Sequence, residues 1–109
     1  MTKVTIVKKN FKIFSVECDG HTNYGEKGED IVCAALSSVV QTAALGLLQV
    51  AGVPVEIKRN DAEGYLKIVI PENLSKEEQR DVDVITNTML MGVADLNEGF
   101  SDFIELEVK

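Results

Sequence analysis

The sequence predicts an α+β fold: a β-β-α-β-β-α-β sandwich with two helices packed on a mainly antiparallel sheet. Three observations predict it. Residues 2–8 and 11–18 alternate apolar and polar side chains across a short polar break, as paired strands do. Two segments with helical signals are separated by a second pair of alternating runs. These segments are apolar on one face or all round, so they must cover one another in layers. The 109 residues suit a single domain, 1–109, with one modest core, and no linker or low-complexity tract divides them.

Taken in order, the first strand puts Val4 and Ile6 on one face. Lys8-Lys9-Asn10 is the break, and its shortness predicts an antiparallel hairpin. In the second strand Phe14, Val16 and Cys18 share a face, while Phe11 and Ile13 begin the other. That strand leads directly to Gly20-His21, placing the chain's single histidine at a strand end, where a scaffold can hold it. Residues 22–29 hold no aliphatic side chain, and Gly25 and Gly28 make this loop permissive enough to act as a lid. Asp30 is a good N-cap residue and predicts a first helix from there to about Ala51, with Cys33 at the third position of its first turn. Gly52 and Pro54 supply the stop. Val53, Val55 and Ile57 are in phase as a third strand running to Lys58, residues 60–64 turn, and Leu66, Ile68 and Ile70 mark the return strand, closed by Pro71. Ser75-Lys76-Glu77-Glu78 is a capping box. It opens a second helix to about Leu96, with Val82, Ile85, Met89, Val93 and Leu96 as its stripe. Asn97-Glu98-Gly99 ends it, and Phe103 to Val108 is a last short strand.

Charge and composition exclude several function classes. A net charge of -7 opposes direct nucleic-acid binding, which wants a basic face, and suits a basic peptide instead. The opening residues alternate like a strand and hold no apolar signal core, so a reducing cytoplasm, with both cysteines as thiols, is expected. No charged residue lies between Ile31 and Val55, a run long enough to span a bilayer. Ser37, Ser38, Gln41, Thr42 and Gln49 interrupt it, and the amphipathic segments elsewhere need something to pack on. A buried central helix, with no membrane partner, is therefore the expectation. One histidine and two cysteines are too few for a closed zinc site, and Gly20, Gly25 and Gly28 match no phosphate-binding fingerprint. No metal or cofactor is expected.

The chemistry concentrates between His21 and Cys33. A cysteine in the first turn of a helix meets unpaired N–H groups and the positive end of the helix dipole, which favour its thiolate. A nearby histidine can take the thiol proton and later protonate a leaving amine, and first-turn N–H groups can bind an oxyanion. The same residues also read as a small hydrophobe opening a core helix and an ordinary loop histidine, and their spacing does not decide between these readings. Asp30 reads as helix cap or as a third member orienting His21. Ser37, one turn past Cys33 on the same face, reads as a site residue or as a side chain bonded back to its own helix. Cys18, in phase with Phe14 and Val16, reads as a buried structural thiol.

The run Gly20-His21, a loop with Gly28, then Asp30-Ile31-Val32-Cys33-Ala34-Ala35-Leu36-Ser37 resembles the bacterial ribosomal-processing cysteine protease family called Prp. The match is densest over residues 19–42 and extends in length and element order along the chain. The resemblance implies a cysteine endopeptidase with Cys33 as nucleophile and His21 as its base; Gly20, Asp30 and Ser37 match family positions as supporting residues. It implies removal of the short N-terminal extension of a basic large-subunit ribosomal protein, the L-twenty-seven protein, after an aromatic residue. It also implies a homodimer, which would cover the first helix all round, and a loop between His21 and Cys33 that moves when substrate binds. Two alternatives stand beside it: a non-enzymatic module binding a basic ribosomal protein, and a thiol redox protein using Cys18 and Cys33.

Overall fold

The structure, a computed structural model, describes residues 1–20 and 27–109, with the side chains of 1–20 and 31–109. Its elements are β1 (Thr2–Lys9), β2 (Lys12–Asp19), α1 (Lys27–Leu45), β3 (Glu56–Asn60), β4 (Tyr65–Val69), α2 (Lys76–Gly99) and β5 (Ile104–Val108). The element order is the one expected. The five strands form one sheet in the order β3-β4-β2-β1-β5. The β1–β2, β2–β4 and β3–β4 pairs are antiparallel, and β5 adds to β1 in parallel.

Alternation explains which face the helices cover. Val4 pairs with Cys18 and Ile6 with Val16, and Val16 and Cys18 continue across to Ile68 and Leu66. All six are buried, with Val32, Leu36, Val40, Leu47, Val82, Met89 and Val93 from the helices over them. The opposite face carries Lys3, Thr5, Glu17 and Lys67, half-buried or exposed.

Two expectations about the hairpin are corrected. The turn is Asn10-Phe11, with Lys9 paired to Lys12, and both residues have positive φ (53° and 66°). That is the twist a two-residue hairpin demands, and it leaves Phe11 98% exposed rather than in a strand. The ladder then slips at Val7/Lys8, so that Ile13 faces Lys8 and Phe14 is skipped. This bulge puts Ile13 in the core with Val16 and Cys18, and moves Phe14 out, where the Lys9 ammonium lies 3.7 Å above its ring.

The first helix also differs from expectation. It begins at Lys27, three residues before the expected Asp30 cap, so Asp30 lies within the first turn and is not the N-cap. Cys33 is the seventh helical residue, not the third. At its far end the helix widens to a π-helical segment, Gly46–Val50, in which the Ala51 N–H reaches the Gly46 carbonyl at 2.9 Å. Gly52 (φ +67°) then turns the chain, and the Val53 N–H bonds the Leu47 carbonyl at 2.8 Å. Val53 and Val55 are buried in that bend rather than in a strand, and β3 starts only at Glu56. Ile31–Val50 is long and apolar enough to cross a membrane, yet Val32, Leu36, Val40, Ala43, Ala44 and Leu47 are buried in the core formed with the sheet and α2.

The second helix follows the sequence closely. The Ser75 hydroxyl accepts from the Glu78 N–H at 3.1 Å, and the Glu78 carboxylate accepts from the Ser75 N–H at 3.0 Å. The helices come close at Gly92, where an added Cβ would stand 3.1 Å from a Val39 methyl.

Candidate active site

One end of the sheet opens into a cavity of about 320 Å³. β1 supplies Thr2 to its wall; the end of β2 supplies Cys18 and Gly20; α1 supplies Cys33, Ala34, Leu36, Ser37 and Gln41; and β3, β4 and the turn between them supply Arg59, Asp61, Gly64, Tyr65 and Leu66. The sequence explains this convergence. Lys3 pairs with Asp19, so the next residues outward, Thr2 and Gly20, face each other beyond the ladder's end. Thr2 is in phase with Val4 and Ile6 and so turns toward the helix layer. In α1, Cys33 follows the buried Val32 and precedes the buried Leu36 by three, on the border of the core stripe, and is half-buried.

One set of contacts in the cavity joins three of these residues from different elements. Thr2 Oγ1 donates to the Gly20 carbonyl at 3.1 Å and lies 3.3 Å from Cys33 Sγ. Gly20 has φ +121°, and a Cβ added there would stand 2.5 Å from the Met1 carbonyl oxygen and 3.1 Å from Thr2 Cα. Glycine is therefore required on two counts, backbone angle and space. Ser37 lines the same cavity one turn beyond Cys33, and its hydroxyl accepts from Gln41 Nε2 at 2.5 Å. The partner lies on the same helix, so this bond leaves both readings of Ser37 standing.

The two thiols differ sharply. Burial, and secondarily the Glu17 charge, pushes the Cys18 thiol up to about 12, so it stays protonated across the neutral range. Cys18 is a structural thiol, as its strand phase predicts. Cys33 is the more exposed of the two thiols that line the cavity. On the opposite wall the Tyr65 hydroxyl donates to Glu17 at 2.7 Å, which together with burial raises its pKa to about 12. Arg59 Nε donates to Asp61 at 2.6 Å at the cavity's rim.

The later start of α1 removes one expected source of activation. Dipole stabilisation fades within the first turn, and Cys33 lies in the second. Its N–H is within the helical ladder rather than free for an oxyanion. His21 and the expected lid over residues 22–29 fall outside the described residues, apart from the backbone of Lys27, Gly28 and Glu29 at the start of α1, and so does the Asp30 side chain. No cluster of three potential metal ligands occurs among the described residues.

A family model described as cysteine protease Prp matches residues 1–105. The chain belongs to the Prp family of cysteine proteases. It is 28% identical over 103 residues to the Bacillus subtilis ribosomal processing cysteine protease Prp, covering 94% of this chain and 92% of that one. It is 30% identical over 98 residues to the Staphylococcus aureus Prp, covering 90% and 89%. Among solved structures, SMU.848 from Streptococcus mutans superposes with a TM-score of 0.88 at 28% identity, covering 99% of this chain and 93% of that one. The S. aureus Prp bound to a substrate peptide superposes at 0.87 and 26% identity, with both chains fully covered. The same enzyme with a covalently linked product peptide gives 0.84 at 28%. Prp membership makes this chain a cysteine protease.

Sequence reasoning missed Thr2, Gln41, Arg59, Asp61 and Tyr65. Thr2 was within reach: it continues the Val4–Ile6 face to the strand end that must meet Gly20. Gln41 lies one turn past Ser37. The remaining three depend on the β3–β4 hairpin joining the sheet beside β2, which no local pattern announces. Gly20→Ala is expected to destabilise the fold by on the order of 1–3 kcal/mol through backbone strain and to cut peptide cleavage at least about tenfold, because both strand ends would have to part. Urea unfolding and cleavage rates check this; an alanine variant with wild-type stability and rate would refute the close-approach account.

Proposed function

We propose that this Prp-family protease removes the short N-terminal extension of a basic large-subunit ribosomal protein, the L-twenty-seven protein, in the cytoplasm during ribosome assembly. Cys33 is the nucleophile and His21 its base. The observation that carries the assignment is the contrast between the two thiols of one cavity: Cys33 is half-exposed there, while Cys18 is buried in its wall and held protonated. The names of the relatives, ribosomal processing cysteine proteases, support the substrate class. So does the net charge of -7, which suits a basic polypeptide.

The reaction runs as a double displacement. His21 takes the thiol proton, and the sulfur attacks the scissile carbonyl to form a C–S bond. The C–N bond breaks as His21 returns the proton to the departing amine, leaving the extension as a thioester on Cys33. Water, deprotonated by His21, then cleaves the thioester and restores the thiol. Asp30 lies three residues before Cys33 in α1 and, as its match to the family position implies, serves as the group orienting His21.

Homodimerisation is the second part of the proposal. Ile31 and Leu45 on α1 and Val84 and Met91 on α2 are exposed on the helix layer, and a groove lined by Val39, Ala43, Val84, Ile85 and Met89 runs between the helices. A second copy would cover these apolar side chains.

Mass spectrometry of an N-terminally extended ribosomal-protein peptide tests the activity. Wild type should release the extension; Cys33→Ser and His21→Ala should lose about 10³-fold or more in rate while keeping the fold. Full turnover by Cys33→Ser would end the nucleophile assignment. For the dimer, sedimentation should give twice the monomer mass for wild type and the monomer mass for Val84→Glu, whereas a monomeric wild type would contradict it.

A further inference from the structure

We infer that Thr2 is a positioning residue for the Cys33 thiol, its hydroxyl linking the sulfur to the Gly20 carbonyl at the strand end that leads to His21. This rests on Cys33 being the nucleophile. Among the described residues, Thr2 is the one side chain within hydrogen-bond distance of Cys33 Sγ. A hydroxyl has a single proton to donate, and that of Thr2 goes to the Gly20 carbonyl at 3.1 Å. Its lone pairs therefore face the sulfur at 3.3 Å, and the resting thiol donates its S–H to Oγ1.

Ionisation reverses the direction of this bond. A thiolate has no proton to give and needs a donor. The Thr2 O–H rotates about its C–O bond, leaves the Gly20 carbonyl and points at the sulfur, where the bond becomes charge-assisted and stronger. The other titratable side chains lining the cavity among the described residues do not supply such a donor. Cys18 stays protonated, Tyr65 donates to Glu17, Arg59 pairs with Asp61, and none of the three is hydrogen-bonded to Cys33 Sγ. Thr2 is 4% exposed, so water does not replace it freely. Its β-branched side chain, held in a strand, has little rotamer freedom, so the oxygen is fixed while its proton turns. The sulfur thus keeps one orientation in both protonation states. The freed Gly20 carbonyl immediately precedes His21, so the strand end and the nucleophile respond to the same proton.

The test compares Thr2→Val, Thr2→Ser and Cys33→Ser in the full chain, reading kcat and KM for peptide cleavage and the pH midpoint of Cys33 alkylation by iodoacetamide. Thr2→Val should lower kcat on the order of tenfold with KM nearly unchanged and raise the alkylation midpoint by about half a pH unit or more, as loss of a bond to a charged group predicts. Thr2→Ser should restore both. A valine variant with wild-type kcat and midpoint overturns the proposal, as does a serine variant as impaired as valine, since the hydroxyl would then be irrelevant. Should valine prevent folding, Thr2→Ala carries the same expectations. Cleavage by Cys33→Ser would instead overturn the nucleophile assignment itself, and this outcome is independent of any Thr2 result.

Discussion

The close approach of the first residues of β1 to Gly20 governs the geometry of the site. Antiparallel register brings Thr2 opposite Gly20, and only a glycine fits there, since an added Cβ would stand 2.5 Å from the Met1 carbonyl oxygen and 3.1 Å from Thr2 Cα. Strand phase then sends the Thr2 side chain toward α1, where Cys33 waits at the border of the core stripe. The sulfur's position is therefore set by the sheet as much as by its own helix. Rigid elements hold it from two sides, so its position does not depend on a search through rotamers.

The same sheet end separates the two cysteines by function. Cys18 and Cys33 line one cavity, yet one lies in the phase of the core and the other at its edge. Desolvation keeps the first a neutral hydrophobe. The second has solvent on one side and a hydroxyl on the other. A redox partnership between them would need a thiolate at Cys18, which burial opposes. Because α1 begins at Lys27, Cys33 lies in its second turn, where the helix dipole contributes little.

Much of the fold was legible because its signals are local. The capping box at Ser75, the stripe of α2, and the alternation of β1 and β4 each depend on neighbouring residues alone, and each appears as read. The departures arise where backbone geometry overrides pattern. A bulge reverses the faces of Ile13 and Phe14. A favourable cap at Asp30 is passed over by a helix that starts one turn earlier. A valine pair that alternates like a strand is consumed by the bend after Gly52. At the site, Gly20, Cys33 and Ser37 were readable from the chain because they lie in one continuous motif. Thr2, Arg59, Asp61 and Tyr65 join them only through strand pairing between segments distant in sequence.

The most direct measurement is to catch the covalent intermediate. Enzyme turning over an extended ribosomal-protein peptide is quenched in acid, digested and mapped by mass spectrometry. The account predicts the mass of the released extension as a thioester on the Cys33-containing fragment, absent from Cys33→Ser. Turnover with no adduct on Cys33, or an adduct found on Cys18, would contradict it.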